Sequence, residues 1–249
     1  MKEIPLTLEA DDGKSIYGLL SKAINPIQKN ESRLVVLAHG LTGNPLEHQH
    51  MLCRDLLIEN GYDVIQFWFY YHEPDARKLH ECTLASHVRD LSSVLKWAAG
   101  YDSVFVAGHS YGGLTTILCN PDNVKAISLW DPSFKPWKEF WHGCLVVDLP
   151  EHKSHLMDGH YYGMVGRAMV EEARSLTDEE VETAARELEM PCQLVLADRE
   201  MGRVENDLKN HLMMTEKEVI EIAGADHCFR LNHSGHELAE TVCEWFDKF

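Results

Sequence analysis

Residues 104–113 read Val-Phe-Val-Ala-Gly-His-Ser-Tyr-Gly-Gly, and the chain continues into the apolar segment Leu114–Leu118. The apolar residues at the start of this stretch predict a buried strand. The glycine-rich centre predicts a sharp turn, and the residues that follow it predict a helix. Ser110 stands at the apex of this turn, inside a Gly-x-Ser-x-Gly pattern. This pattern between a strand and a helix is typical of a strained turn that raises a serine nucleophile above a sheet, and it requires small residues at positions 108 and 112.

Predicted strands and helices alternate over most of the chain. Strands are expected at Ile4–Glu9, Ser15–Leu20, Arg33–Ala38, Tyr62–Phe67, Ser103–Ala107, Val124–Trp130, Cys192–Ala197 and Glu218–Ile222. Helices are expected at Glu47–Asn60, Cys82–Ala99, Arg203–Leu212 and Gly235–Phe249, besides the one that follows Ser110. The first two strands predict an antiparallel hairpin, and the alternation predicts a mostly parallel sheet covered by helices on both faces. Functional residues are then expected at the carboxyl ends of the strands.

The segment 134–190 departs from this alternation. It contains a possible strand pair near Cys144–Val147 and Tyr161–Val165, and an acidic helix at Asp178–Glu189 with Thr177 as its cap. We interpret it as a cap inserted over the active site of a single domain that spans residues 1–249. Among its aromatic residues we expect Tyr161, Tyr162 and Trp141 to contact the substrate.

Charge and cysteine usage limit the class of protein. The formal net charge of −17 over 249 residues disfavours nucleic acid or an anionic membrane as a partner. The seven cysteines show no Cys-x-x-Cys spacing, which fits a reducing compartment. Because the first residues form no apolar leader, we expect a cytoplasmic protein, either a monomer or a homodimer.

A serine nucleophile needs a base, and the base needs an acid. His227 lies in Gly224–Phe229, directly after the last predicted strand, and is the expected base. Asp198 ends the strand Cys192–Ala197 and is the favoured acid, since the order serine, acid, histidine is typical of this class of turn. Asp131, which follows Val124–Trp130, is the main alternative, and Glu200 is a weaker one.

The developing oxyanion needs hydrogen-bond donors. The backbone N–H of Tyr111 begins the helix after the turn and is one expected donor. Leu41 supplies the other from the loop His39-Gly40-Leu41-Thr42-Gly43-Asn44, in which Gly40 permits a close approach to Ser110. His233 and His236 have a spacing found in metal sites, but no acid or cysteine cluster accompanies them, so we expect no metal and no organic cofactor.

Together these motifs resemble the α/β-hydrolase superfamily, and within it the chain is similar to the bacterial feruloyl/cinnamoyl esterases. The resemblance rests on the loop 39–44, the turn 108–113, Asp198 and the loop 224–229. It implies an eight-stranded sheet with a small inserted cap, Ser110 as nucleophile, Asp198 as acid, His227 as base, and Leu41 and Tyr111 as oxyanion donors. Leu41 departs from the more usual phenylalanine, which leaves the backbone donor in place.

The function expected from the residues and the resemblance is a serine carboxylesterase. It would hydrolyse short-chain, medium-chain or aryl (hydroxycinnamoyl-type) esters through an acyl-enzyme intermediate. The alternatives are a serine hydrolase of the same fold that acts on other bonds, such as a peptidase, a thioesterase or a monoacylglycerol-lipase-like enzyme, and a binding protein without activity.

Overall fold

Eight strands form the central sheet of the protein. They are β1 (Glu3–Glu9), β2 (Ser15–Ser21), β3 (Arg33–Ala38), β4 (Asp63–Phe67), β5 (Ser103–His109), β6 (Ala126–Trp130), β10 (Cys192–Ala197) and β11 (Lys217–Ile222). Their order is β1-β2-β4-β3-β5-β6-β10-β11. The pairs β1–β2 and β2–β4 are antiparallel and every other pair is parallel, which confirms the expected sheet.

The computed structural model describes residues 3–24, 31–134, 145–158, 162–198 and 208–249. In these parts the longer helices are α1 (His48–Glu59), α2 (Leu84–Ala98), α3 (Tyr111–Cys119), α4 (Arg167–Ser175), α5 (Asp178–Arg186) and α7 (Ser234–Phe246), and α6 (Leu208–His211) is a single turn. Three-residue 3₁₀ turns lie at Leu79–Glu81 and Pro150–His152. No helix in this part of the chain is long and apolar enough to cross a bilayer.

The burial of the strands explains how the sheet is covered. Every residue of β5 is buried, as expected for a central parallel strand, whereas β1 at the sheet edge alternates between half-buried and exposed residues. Along β3, Leu34 and Val36 face one hydrophobic core and Val35 and Leu37 face the other. Helices α2 and α3 line the first core and α1 and α7 line the second. Helices therefore cover both faces of the sheet.

The turn between β5 and α3 is built on close backbone approaches. A β-carbon on Gly112 would lie 2.7 Å from the carbonyl oxygen of His39, and one on Gly108 would lie 2.7 Å from the carbonyl oxygen of Gly112. Real β-carbons do not tolerate such contacts, so the small residues predicted at both positions are required. They bring the start of α3 against the end of β3, next to Ser110.

A second, smaller sheet follows β6 in the chain. Its strands β7 (Leu145–Leu149), β8 (Ser154–Asp158) and β9 (Tyr162–Gly166) pair in that order, all antiparallel. The sequence predicted the outer two strands as a pair and missed β8, which lies between them. Ser-His-Leu-Met-Asp contains no β-branched or aromatic residue, so its strand conformation comes from its two neighbours and not from propensity.

The helices beside this small sheet attach it to the central sheet. The Glu172 carboxylate of α4, a helix missed by the sequence reading, accepts a hydrogen bond from Ala85 N at 3.1 Å at the start of α2. The Tyr111 hydroxyl of α3 contacts Met169 Sδ of α4 at 3.3 Å. Helix α5 begins with the expected cap, because Thr177 Oγ1 accepts from Glu180 N at 3.2 Å. Helix α4 is thus attached to α2 and α3, which pack on one face of the central sheet.

The turn gives a test of stability with a matched control. We expect Gly112→Ala to lower the free energy of unfolding by about 1–3 kcal/mol, because the new methyl group overpacks against backbone that cannot rotate away. Gly100→Ala is the control, since a β-carbon there meets nothing within 4 Å. Urea denaturation of both variants checks this, and equal midpoints for the two would contradict the proposed packing of the turn.

Candidate active site

Ser110 lies at the bend between β5 and α3 in a conformation that non-glycine residues seldom adopt. Its φ of 53° and ψ of −119° place it outside the helix that it precedes. Its backbone N–H donates to Trp130 O at 2.9 Å, and its carbonyl accepts from Gly113 N at 3.0 Å and Ser133 N at 3.0 Å. These bonds hold the strained turn, and the Ser110 hydroxyl is left half-buried at the end of the sheet.

His227 lies in the loop that follows β11, where the sequence placed the base. Its Nε2 is 2.9 Å from Ser110 Oγ. Its Nδ1 is 2.5 Å from Asp131 Oδ2. The structure thus brings together Ser110 and His227, and it adds Asp131 as the carboxylate.

Asp131 directly follows β6 and is held by the neighbouring strand as well as by the histidine. Its N–H donates to Val195 O at 2.7 Å, and its Oδ1 accepts from Ala197 N at 3.3 Å. Its φ of 38° turns the chain sharply before Pro132. With its side chain only 11% exposed, Asp131 is a positioned carboxylate and not a surface turn residue.

The prediction that Asp198 contacts His227 is wrong, and the alternative Asp131 takes this position. The Asp198 carboxylate accepts instead from Gly224 N at 2.5 Å, at the base of the loop that carries His227. The sheet order explains the difference, since β6 lies next to β5 and its serine, while β10 lies one strand further away. Asp198 therefore orients the loop, and Asp131 contacts the imidazole.

The hydrogen bonds define the tautomer of His227. A carboxylate only accepts, so Nδ1 carries the proton that it donates to Asp131. Nε2 is then the acceptor for the Ser110 hydroxyl. This is the arrangement in which an imidazole removes a proton from a serine while a carboxylate stabilises the resulting cation.

The loop after β3 approaches the serine closely. A β-carbon on Gly40 would lie 3.1 Å from Ser110 Cβ and 3.5 Å from its Oγ. The backbone N–H groups of Leu41 and Tyr111 follow Gly40 and Ser110, and neither has a hydrogen-bond acceptor among the described residues. Thr42 has a φ of 59°, so this loop is strained like the turn that it faces.

Two buried histidines fix the loops around the serine. His109 Nε2 lies 2.7 Å from the backbone carbonyl of His227, and His39 Nδ1 lies 2.8 Å from that of Gly40. Burial lowers the pKa of His39 to about 4. Burial, reinforced by repulsion from His227, holds the pKa of His109 well below its usual range. Both rings are neutral near pH 7 and donate one N–H each to a loop carbonyl.

The sequence reading missed several residues of the site. His109 and Ser133 were not selected, although each lies within two residues of a selected position, and Ser133 Oγ is 3.3 Å from Ser110 Oγ. The Tyr111 side chain, for which the sequence predicts no role, joins α3 to Met169 of α4. Only proximity in the sequence to Ser110 and Asp131 could have indicated these roles.

The three aromatic residues expected to contact the substrate lie in or next to parts of the chain that the structure does not describe. Trp141 and Tyr161, like the weaker acid candidate Glu200, lie outside the described residues. Tyr162 begins β9, and only its backbone is described. Next to it, a β-carbon on Gly163 would lie 3.4 Å from Thr42 Cγ2. Strand β9 therefore passes directly over the loop that contains Leu41.

Comparison with solved structures finds similar folds at low sequence identity. Est1E from Butyrivibrio proteoclasticus, solved with ferulic acid bound, aligns with a TM-score of 0.79 and 21% identity over 98% of each chain. An esterase domain from a Rhodothermus marinus protein aligns with a TM-score of 0.73 and 16% identity over 100% of this chain and 99% of that one. The Pyrococcus furiosus esterase Pf2001 aligns with a TM-score of 0.73 and 17% identity over 100% and 93%.

The sequence itself matches no family model and no curated protein. The similarity is therefore one of architecture. Sheet order, strand directions and these alignments together show that the chain has the α/β-hydrolase fold.

The contact between His227 and Asp131 gives a test that needs no substrate. We expect the proton on His227 Nδ1 to resonate downfield of the amide region in NMR spectra, because it lies in a short bond to a carboxylate. Asp131→Asn should remove this signal, whereas Asp198→Asn should keep it. A signal that disappears only in Asp198→Asn would reassign the carboxylate.

Proposed function

We propose that this protein is a serine carboxylesterase in which Ser110, His227 and Asp131 form the catalytic triad. The observation that carries the proposal is the continuous chain of contacts from Ser110 Oγ to His227 Nε2 at 2.9 Å and from His227 Nδ1 to Asp131 Oδ2 at 2.5 Å. The strained serine turn supports it, since such strain persists where function requires it. The α/β-hydrolase fold supports it further.

Acylation begins when Ser110 Oγ attacks the ester carbonyl carbon and its proton passes to His227 Nε2. Asp131 stabilises the imidazolium that forms. The carbonyl oxygen becomes an oxyanion, to which the N–H groups of Leu41 and Tyr111 donate. When the tetrahedral intermediate collapses, the C–O bond breaks and His227 returns the proton to the leaving alcohol.

Deacylation repeats these steps with water in the place of the serine hydroxyl. His227 takes a proton from water, whose oxygen attacks the acyl carbon. The second intermediate collapses to the carboxylic acid and Ser110, which regains its proton from His227. Each donor to the oxyanion contributes about 3 kcal/mol to the lowering of the barrier in enzymes of this kind.

Short-chain, medium-chain or aryl esters are the proposed substrates. The proximity of β9 to Thr42 supports a small cap, formed by about residues 134–190, that limits the room for the acyl group. Tyr162, the first residue of β9, is proposed to contribute to the restriction of the acyl group by the cap. The ferulic acid bound to Est1E, a protein of the same architecture, favours a test with hydroxycinnamoyl esters.

The nucleophile is tested with p-nitrophenyl esters of increasing chain length and with methyl ferulate. Ser110→Ala should lower kcat by at least about 10⁴-fold, because the variant lacks the hydroxyl that lies against His227 Nε2. Ser175→Ala, an exposed serine on α4, is the matched control and should retain full activity. More than a tenth of wild-type activity in Ser110→Ala would refute the assignment.

The acid is tested with a pair of isosteric variants. Asp131→Asn should lower kcat by about 10²–10⁴-fold, because the amide donates to Nδ1 and leaves the wrong tautomer at Nε2. Asp198→Asn should stay within about tenfold of the wild type, since its carboxylate accepts from Gly224 N at the base of the loop and Asp131 takes the position at His227 Nδ1. Circular dichroism of both variants verifies folding, and a reversed order of the two effects would restore Asp198 as the acid.

The bond that is cleaved is tested with matched substrates. An ester, a thioester and an amide with the same acyl group should be hydrolysed with kcat/KM falling by at least tenfold from the ester to each of the others. A preference for the amide or the thioester would leave the triad in place and change the reaction class.

A further inference from the structure

Three potential metal ligands converge beneath the triad, on the side of the sheet covered by α1. They are Glu47, which immediately precedes α1, His50 in the first turn of α1, and His109 at the end of β5. One ligand atom from each lies within 4.8 Å of the others. The proposed hydrolysis assigns no catalytic step to any of these side chains.

His50 is the informative member of this group. It is fully buried, yet neither ring nitrogen has a hydrogen-bond partner among the described residues. Its ring packs against Trp130 at 5.4 Å and against His109 at 5.9 Å between ring centroids. A buried polar group without a hydrogen-bond partner is unfavourable, so a bound ligand would recover free energy here.

His109 is already oriented as a metal-binding histidine would be. Its Nε2–H donates to His227 O at 2.7 Å, so its Nδ1 carries the lone pair that faces the group. A ring N–H bonded to a backbone carbonyl is the usual second interaction of a histidine ligand, since it fixes the tautomer and the ring plane. The Gln49 amide lies 3.4 Å from this Nδ1 and 3.5 Å from Glu47 Oε2, contacts that are long for hydrogen bonds.

Glu47 supplies the negative charge of the group. Its carboxylate lies beside the two histidines, so it would neutralise part of the charge of a bound cation. Gly43 leaves the space that this side chain occupies, because a β-carbon there would lie 2.6 Å from Glu47 Oε2. Glu47 is partly exposed to solvent, whereas His50 and His109 are buried, so an ion would reach the group from the side of Glu47.

We propose that Glu47, His50 and His109 bind a divalent transition-metal cation of the zinc class. Two imidazoles and one carboxylate are a common ligand set for zinc with a fourth position open to water. Bonds of about 2.0–2.2 Å in a tetrahedron set the ligand atoms about 3.3 Å apart, which lies inside the 4.8 Å limit on the spacing of these three ligand atoms.

This position connects the cation to the triad through one residue. His109 would hold the ion through Nδ1 and the loop of His227 through Nε2–H. The ion is expected to stabilise the fold and to stiffen this loop, with no part in the bond-breaking steps. The proposal does not depend on the esterase assignment, because binding is measured without substrate.

The test is a titration of the full-length, chelator-treated protein with Co²⁺, followed by its visible absorption. We expect one tightly bound ion with the intense bands of tetrahedral coordination, and displacement by Zn²⁺. His50→Gln and Glu47→Gln should each weaken binding at least tenfold. His48→Gln, an exposed histidine on the same helix, is the matched control and should bind as the wild type does.

Thermal unfolding gives the second readout. Zn²⁺ at about a hundred times its dissociation constant should raise the Tm of the wild type by about 5 °C or more, and that of Glu47→Gln by about half as much or less. Because Glu47 is partly exposed, this variant tests the proposal even if His50→Gln fails to fold. The proposal is refuted if the wild type binds no Co²⁺. It is also refuted if the double variant His233→Gln/His236→Gln loses binding while Glu47→Gln keeps it.

Discussion

The strained backbone of Ser110 is the constraint on which the rest of the site depends. The turn can form only because β5 and β3 are adjacent, and because Gly108 and Gly112 let α3 begin against the end of β3. The strain is compensated by two backbone hydrogen bonds, one that Ser110 N donates to Trp130 O on the neighbouring strand and one that Ser133 N, in the loop after that strand, donates to Ser110 O. The residue that bears the hydroxyl is therefore held by three consecutive strands of the sheet.

The sheet could be predicted from the sequence because its strands are apolar runs separated by amphipathic helices. Arg33–Ala38 and Cys192–Ala197 have the predicted bounds, and the other predicted strands of the central sheet differ by a residue or two at their ends. The start of the predicted helix Arg203–Leu212 lies outside the described residues. Ser110 and His227 could be found for a similar reason, since each follows a strand within a distinctive local pattern. The pair of strands predicted in segment 134–190 was incomplete, because β8 is stabilised by its neighbours and not by its own residues.

The acid could not be chosen from the sequence, because the choice depends on spatial order and not on chain order. Asp131 and Asp198 both directly follow buried parallel strands, whose carboxyl ends lie on the same edge of the sheet. What separates them is the position of β6 between β5 and β10, together with a φ of 38° at Asp131. The group formed by Glu47, His50 and His109 could not be predicted from the sequence for a similar reason. Its members come from two parts of the chain, the start of α1 and the end of β5, which meet only in the folded protein.

The two carboxylates also join the ends of three neighbouring strands. Asp131 bonds from the end of β6 to Ala197 on β10, and Asp198 bonds from the end of β10 to Gly224 after β11. The loop of the histidine is thus bordered by two acids, of which only one contacts the ring. The ends of β6, β10 and β11 are therefore coupled through two side-chain carboxylates, so a displacement of β10 would be transmitted both to the carboxylate at the ring and to the base of the loop.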